Sequence, residues 1–467
     1  MQIKRFLDSV CNQIKYKPIR ENIAEELKNH IEEAKENYIL EGLKEIDAEE
    51  KAIKQMGDGE EIGKKLNKIH RPNLDWKLIL IIFVLLCFGG IVLFIRVHSV
   101  DEKIFGIEGQ SIIKFIIFTI IGIVISIAIY FIDYSKINKY SNIFYILATL
   151  SILFALMCGT VINGIPHLRL GTITFSPAVI APPLYIIAFV GFINNLNKES
   201  KLEKIISQYM NIKVNINLLK IIILSIISLM LLIAIPSTTS AFILGLTYLI
   251  TGTIKIAQMK ENKVKNILKL WGIPVIIGIV LLTYILGTSP FRWYRLTLSF
   301  NPEQDPSGGG WIGINRKTII QSAQLIGEAE DISEALTLFD EGTNYAFISI
   351  LAHYGWIVSI GIIVAILALS IKLIINTIKI KDVYGKLLIV GISTMFILQS
   401  IFNILMNLNL WIEANFNLPF VSYGGANLIV NLMSLTLILS VYRRKDIIII
   451  QKNNNVQNQS IIANEKK

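Results

Sequence analysis

Ten apolar runs dominate this chain. They lie at 76–96, 111–132, 142–162, 176–194, 217–235, 239–258, 266–287, 345–371, 386–406 and 422–442. About 20 apolar residues of helix cross a bilayer, and each run has that length. The expected fold is therefore all-α: a polytopic membrane protein with about ten transmembrane helices and a long outer loop after the seventh. With 53% of its 467 residues hydrophobic, the chain is too apolar for an ordinary soluble domain. The first 74 residues are polar, and no charged segment leads into a short apolar core, so no cleavable signal peptide is expected.

Lys and Arg in the short loops set the orientation. Lys136 and Lys139 follow the second run, Lys198, Lys201, Lys204 and Lys213 the fourth, and Lys260, Lys263 and Lys265 the sixth. Lys372, Lys379 and Lys381 follow the eighth, and Arg443, Arg444 and Lys445 the tenth. The alternate short loops hold only Lys103 and Arg169. An even number of spans then places both termini in the cytoplasm. The long loop 288–344 breaks the pattern with Arg292, Arg295, Arg316 and Lys317 on the outer side, which suggests an anionic ligand there.

The chain reads as a cytoplasmic helical prefix at 1–74, a membrane body at 75–445 and a disordered, Asn/Gln-rich cytoplasmic tail at 446–467. The prefix carries 14 Lys/Arg and 15 Asp/Glu, so the net charge of +10 belongs to the membrane part, where inner-loop cations explain it. No nucleic-acid partner is needed. Phe6, Val10 and Ile14, then Ile23, Leu27, Ile31, Ala34 and Tyr38, form helical stripes. Asp47 with Glu50 has the spacing of a capping box, and Gly57 is a helix stop. Such stripes fit a self-contained bundle, or a module that docks a cytoplasmic partner. Cys11, Cys87 and Cys158 match no metal spacing and read as packing residues without a disulfide. Nothing in the chain has the form of a phosphate loop, a zinc site or a nucleophile–base pair, which sets aside kinase, protease and redox chemistry.

Four outer segments have compositions that apolar packing does not explain: "NGIPHLRLGTITFSP" at 163–177, "IPSTTSA" at 235–241, "YRLTLSFNPEQDPSGGGWIG" at 294–313 and "NFNLPFVSYGGANLIVN" at 415–431. In the last, Ser422 is a suitable N-cap, and free amides would follow at Tyr423, Gly424 and Gly425. Helix N-termini rich in Ser and Gly bind anions; equally, the segment can be a capped helix whose glycines pack closely. Asn427 and Asn431 lie one turn apart and must find polar partners inside the bundle or a cavity. In the long loop Arg295 can pair with Asp305, or meet a diphosphate through the guanidinium fork. His167, beside Pro166, reads as ordinary surface. His353 reads as a packed residue of a span, or as a proton carrier or metal ligand.

"LPFVSYGGANLIVN", "NPEQDPSGGG" and "FSPA" resemble the signatures of the FtsW, RodA and SpoVE family of shape, elongation, division and sporulation proteins, and the resemblance covers residues 76–445. The prefix resembles a domain found ahead of several Gram-positive permeases. The family resemblance implies a ten-span enzyme in the bacterial plasma membrane. Such an enzyme polymerises lipid II, or a related polyprenyl-diphosphate precursor, outside the membrane, beside a class B penicillin-binding protein. Flipping of lipid II is an older proposal for the family. It implies no firm cofactor, although a divalent cation such as Mg²⁺ is compatible with a diphosphate donor.

The departures from the family pattern bear on catalysis. Where the family has Gln-Pro-Ser-Glu this chain has Ser176-Pro177-Ala178-Val179, and where it has Gln-Pro-Asp-Leu-Gly-Thr-Ala this chain has Ile235 to Ala241. The Asp taken as catalytic corresponds to Asn344, preceded by Asp340 and Glu341, and a later Gly-Glu-Glu-Leu-Gly corresponds to Leu351 to Gly355. An Asn amide cannot accept the proton of an attacking hydroxyl. Glu341 or Asp340 could take over as base, or could simply occupy a helix's first turn. Three readings stay open: a glycosyltransferase with Arg292, Arg295, Asp305 and Ser422 to Gly425 at its substrate; a precursor transporter or binder; and a scaffold for a cell-wall complex.

Overall fold

In the computed structural model the described residues are 2–69, 74–98, 110–162, 165–170, 173–196, 216–258, a scatter between 271 and 287, 290–330 and 343–445. They divide into two compact units. One is formed by residues 1–75 with 379–382 and the chain from 441, the other by 76–378 and 383–440.

The first unit contains α1 (Gln2–Gln13), α2 (Arg20–Leu40), α3 (Glu45–Met56) and α4 (Gly59–Ile69). The stripes read from the sequence meet in one core, where Phe6, Val10, Ile14, Ile23 and Ile31 are buried with Ala52, and Leu27, Ala34 and Tyr38 pack at the edge. The capping box does not form. α3 begins two residues before Asp47, after Lys44, so Asp47 sits in the first turn, where its charge favours the positive end of the helix. Gly57 does close α3, at φ 92°.

The second unit is the membrane body. Among the described residues nine helices are long and apolar enough to cross a membrane. They include α5 (Trp76–His98), α6 (Gln110–Phe131), α7 (Ser141–Cys158), α8 (Pro177–Asn194), α9 (Ile216–Ala234) and α10 (Thr238–Ala257). Two shorter helices of the long loop follow, α11 (Pro290–Phe300) and α12 (Trp311–Ser322), then α13 (Ala346–Lys379), α14 (Val383–Asn407) and α15 (Gly425–Arg443). The expected span at 266–287 lies outside the described residues but for a scatter of positions. Cys87 and Cys158 are exposed on their helices and so do not pack the interior as expected.

The helical architecture carries one addition. α7 stops at Cys158, short of the expected 162, and the chain turns into a three-stranded antiparallel sheet of β1 (Thr160–Ile162), β2 (Ile165–Leu170) and β3 (Ile173–Phe175). Ile162 pairs with Ile165 and Leu170 with Ile173. α8 follows, capped by Ser176, whose hydroxyl accepts from Ala178 N at 3.3 Å. α8 is the hub of the body and packs on α7, α9, α10 and α14. Pro182 and Pro183 interrupt its hydrogen bonding, since proline has no N–H for the carbonyl four residues back. Ser240 of α10 donates to the freed Ala178 carbonyl at 3.1 Å, a side-chain repair of the kind that lets proline persist in membrane helices.

α13 is two helices in sequence rather than one span. Gly355 has φ 79° and ψ −173°, extended and left-handed, which favours glycine. The backbone groups freed there are taken by the segment after α12. Trp356 N donates to Gln324 O at 3.0 Å, Ile357 N to Leu325 O at 3.1 Å, and Ala329 N to Ala352 O at 2.8 Å.

Candidate active site

Six parts of the membrane body enclose a cavity of about 290 Å³. α8 supplies its first turn and Pro182 and Pro183. α10 supplies Ser237, Thr239, Ser240 and Ile243, and α14 supplies Met395 and Gln399. α15 supplies Asn427, Val430 and Asn431, the sheet supplies Ile162, Ile165 and His167, and the chain flanking α13 and α15 supplies Thr343, Asn344, Asn415 and Asn417. Three helices, α8, α10 and α15, contribute first-turn residues to this lining, Ala178 and Val179, Thr239 and Ser240, and Asn427, so the positive ends of three helix dipoles lie near one space. Side-chain hydroxyls and amides cover most of the polar wall. Among the described residues the lining holds no Asp, Glu, Lys or Arg.

The turn at 343–344 is held from several sides. Asn344 Nδ2 donates to Asn415 Oδ1 at 3.0 Å. Its carbonyl accepts from Asn403 Nδ2 at 2.9 Å and Asn407 Nδ2 at 3.0 Å. Both of those amides belong to α14 and are fully buried. Asn407 Nδ2 also reaches Asn403 Oδ1 at 3.2 Å, and Asn403 donates to Phe416 O. Ser422 donates to the Thr343 carbonyl and accepts from Leu418 N at 2.8 Å. Buried amides in an apolar body need full satisfaction, and here that need fixes the backbone on which Asn344 stands.

Ser422 is thus not the N-cap of α15. Its hydroxyl is committed to Leu418 and Thr343, and the helix begins three residues later at Gly425. Tyr423, Gly424 and Gly425 lie beside the cavity's α15 wall without lining it. Gly425 is a close-approach glycine: a Cβ there would stand 2.2 Å from the Phe118 ring of α6.

The outer cations are dispersed. Arg316 is 2% exposed, and its guanidinium lies 2.6 Å from Glu413 Oε2 while donating to Met406 O at 2.7 Å. Tyr345 donates to the other Glu413 oxygen at 2.6 Å. Arg316 is therefore a structural ion-pair residue, not a free anion receptor. Lys317 pairs with Glu303 at 2.8 Å on the surface. Arg295 is exposed on α11 and outside the lining, and the side chain of Arg292 is outside the description. The expected Arg295–Asp305 pair is not what holds Asp305. Its carboxylate accepts from Tyr294 Oη and Gly309 N, each at 2.7 Å, and these bonds, Tyr294's first, hold its pKa below the usual carboxylate range.

Asp340 and Glu341, the carboxylates read as replacement bases, lie outside the described residues. His353 is not part of the cavity; its Nδ1 lies 3.7 Å from Glu328 Oε1 beside the break in α13. His167, read as surface, instead lines the cavity. Among the described residues no cluster of three His, Cys, Asp or Glu side chains is placed to hold a metal. A wall of neutral amides and hydroxyls is a poor donor set for Mg²⁺, which is usually held through one or two carboxylates plus phosphate oxygens.

A family profile described as cell cycle protein, FtsW/RodA/SpoVE, matches residues 76–447. The chain belongs to this family. It is 21% identical over 386 residues to a probable peptidoglycan glycosyltransferase FtsW of Idiomarina loihiensis, covering 80% of this chain and 88% of that one. It is 30% identical over 170 residues to a protein of the same description from Trichlorobacter lovleyi, and 28% identical over 180 residues to the stage V sporulation protein E of Bacillus subtilis. Those two alignments span 42% and 48% of the relatives' own lengths. The FtsW/RodA/SpoVE fold is shared with a solved peptidoglycan synthase complex described for coordination of polymerization and crosslinking, at TM-score 0.60 and 17% identity over 80% of this chain and 98% of that one. Thermus thermophilus rod shape determining protein RodA matches at TM-score 0.52 and 14% identity, over 80% and 97%.

Proposed function

We propose that this family member binds a lipid-linked peptidoglycan precursor, lipid II or a close relative, in the cavity under Asn344 and transfers its glycan to a growing strand. The observation that carries the reading is the placement of three helix first turns and a carboxylate-free amide and hydroxyl wall around one cavity with the pinned turn at 343–344. Sugar hydroxyls and acetamido groups suit such a wall. Backbone N–H groups at helix starts suit the diphosphate that carries charge away as the glycosidic bond breaks. The mechanism is displacement: an acceptor hydroxyl oxygen bonds to the donor's anomeric carbon, the bond from that carbon to the diphosphate breaks, and the hydroxyl proton passes to a base.

A class B penicillin-binding transpeptidase is the proposed partner, and both termini are proposed to lie in the cytoplasm, following the loop charges. A second reading, precursor binding or transport without turnover, is favoured by one observation: an amide stands at residue 344, where the family's pattern has a carboxylate. Purified protein incubated with lipid II and resolved on a gel separates the two. Glycan polymer is the expected result; bound but unpolymerised lipid II would leave the second reading.

A further inference from the structure

Resting on the glycosyltransferase reading, we propose that His167 is its general base, taking the proton of the attacking sugar hydroxyl on Nε2. Among the cavity's described lining, His167 is the one side chain with a basic ring nitrogen. Asn344 cannot serve, because its side chain is an amide that already donates to Asn415. The geometry of β2 prepares the histidine. Nδ1 lies 2.8 Å from the carbonyl of Ile165, and a carbonyl only accepts, so Nδ1 carries the proton of the neutral ring. Nε2 is then left with a lone pair, and it has no partner among the described residues. The backbone of His167 is fixed by its strand pairing opposite Thr160.

The electrostatic surroundings are simple. Arg169, two residues along β2, is the one charged side chain in the described residues of the sheet, and the lining contributes none from α8, α10, α14 or α15.

The step balances without a co-reactant. The acceptor oxygen bonds to the anomeric carbon, and the carbon–oxygen bond to diphosphate breaks with its electron pair on the diphosphate. The proton moves to Nε2 as an imidazolium and then to water. A base held this way contributes about 10²–10⁴-fold.

The test uses the full chain in detergent or lipid with lipid II. His167→Gln keeps a hydrogen-bonding side chain but cannot take the proton. It is expected to lower the polymerisation rate about 100-fold or more while lipid II binding stays within a few fold. Adding Asn344→Asp to that variant places a carboxylate in the cavity, and it is expected to restore polymer with a pH profile moved to the acid side. In the unaltered protein the rate should rise with pH through the range where imidazoles lose a proton. Full polymerisation by His167→Gln, or a rate in the unaltered protein that falls as pH rises there, overturns the assignment and leaves the glycosyltransferase reading standing. No polymer from the unaltered protein overturns both. Because the pH profile is read on the unaltered protein, a folding defect in a variant cannot hide the answer.

Discussion

Arg316 shows how a residue's type can mislead about its task. Four cations in an outer loop read as an anion receptor, yet this one is buried between Glu413 and the Met406 carbonyl, with the Tyr345 hydroxyl on the other carboxylate oxygen. Removing one partner of a buried pair strands the other, at about 3–5 kcal/mol. Arg316→Ala is therefore expected to lower the stability of the purified protein by that order in a denaturation series, and Arg316→Met combined with Glu413→Leu to lower it much less. Indifference of stability to Arg316→Ala would mean the pair is not what holds this region. The asparagines were legible in part. Asn427 and Asn431 announced themselves by helical spacing in an apolar run, and both line the cavity. Asn403 and Asn407 have the same spacing in α14 and hold the Asn344 carbonyl, so the same reasoning applied to "IFNILMN" would have found them. His167 was not legible, because what distinguishes it from a surface histidine is the cavity wall across from it, contributed by residues up to 264 positions later in the chain.

The helices were readable because hydropathy over about 20 residues averages out local detail; their ends and interruptions were not. The sheet at 160–175 was absorbed into the tail of an apolar run, although the two residues between the paired Ile162 and Ile165 are Asn-Gly, the dipeptide most favoured in two-residue hairpins. The break in α13 gave no hydropathy signal, since Gly355, although preceded by His353 and Tyr354, lies inside one long run that is apolar on average. Its cause is tertiary: the carbonyls of Gln324 and Leu325 replace the partners that the two helix pieces lose. Gly355→Ala is expected to destabilise the protein by more than about 1 kcal/mol. The reason is the positive φ, together with a Cβ that would stand 2.6 Å from the Gln324 carbonyl. The same change at Gly90, where a Cβ meets nothing within 4 Å, is the control and should cost far less. Equal melting temperatures for the two variants would show that the break relaxes freely.

At the scale of the whole molecule, the loop charges predict its orientation across the membrane. A reporter fused after Lys445 should read cytoplasm, and one inserted between Pro306 and Ser307 should read outside. A cytoplasmic signal from the insertion would break the ten-span arrangement and put the cavity's mouth on the wrong side for an external glycan. The break at Gly355 has a further consequence for the body as a whole. The turn bearing Asn344 is followed by the short upper piece of α13, and the loop at 324–329 is tied both to Ala352 in that piece and to Trp356 and Ile357 at the start of the lower piece, which runs to Lys379. A continuous helix would pass every change of tilt in that lower piece straight to its upper end. Membranes vary in thickness, and spans answer by tilting. With the break at Gly355 the two pieces are not one rod, so the slope of the lower piece is set at the break while the turn at 343–344 is placed by the buried amides of α14.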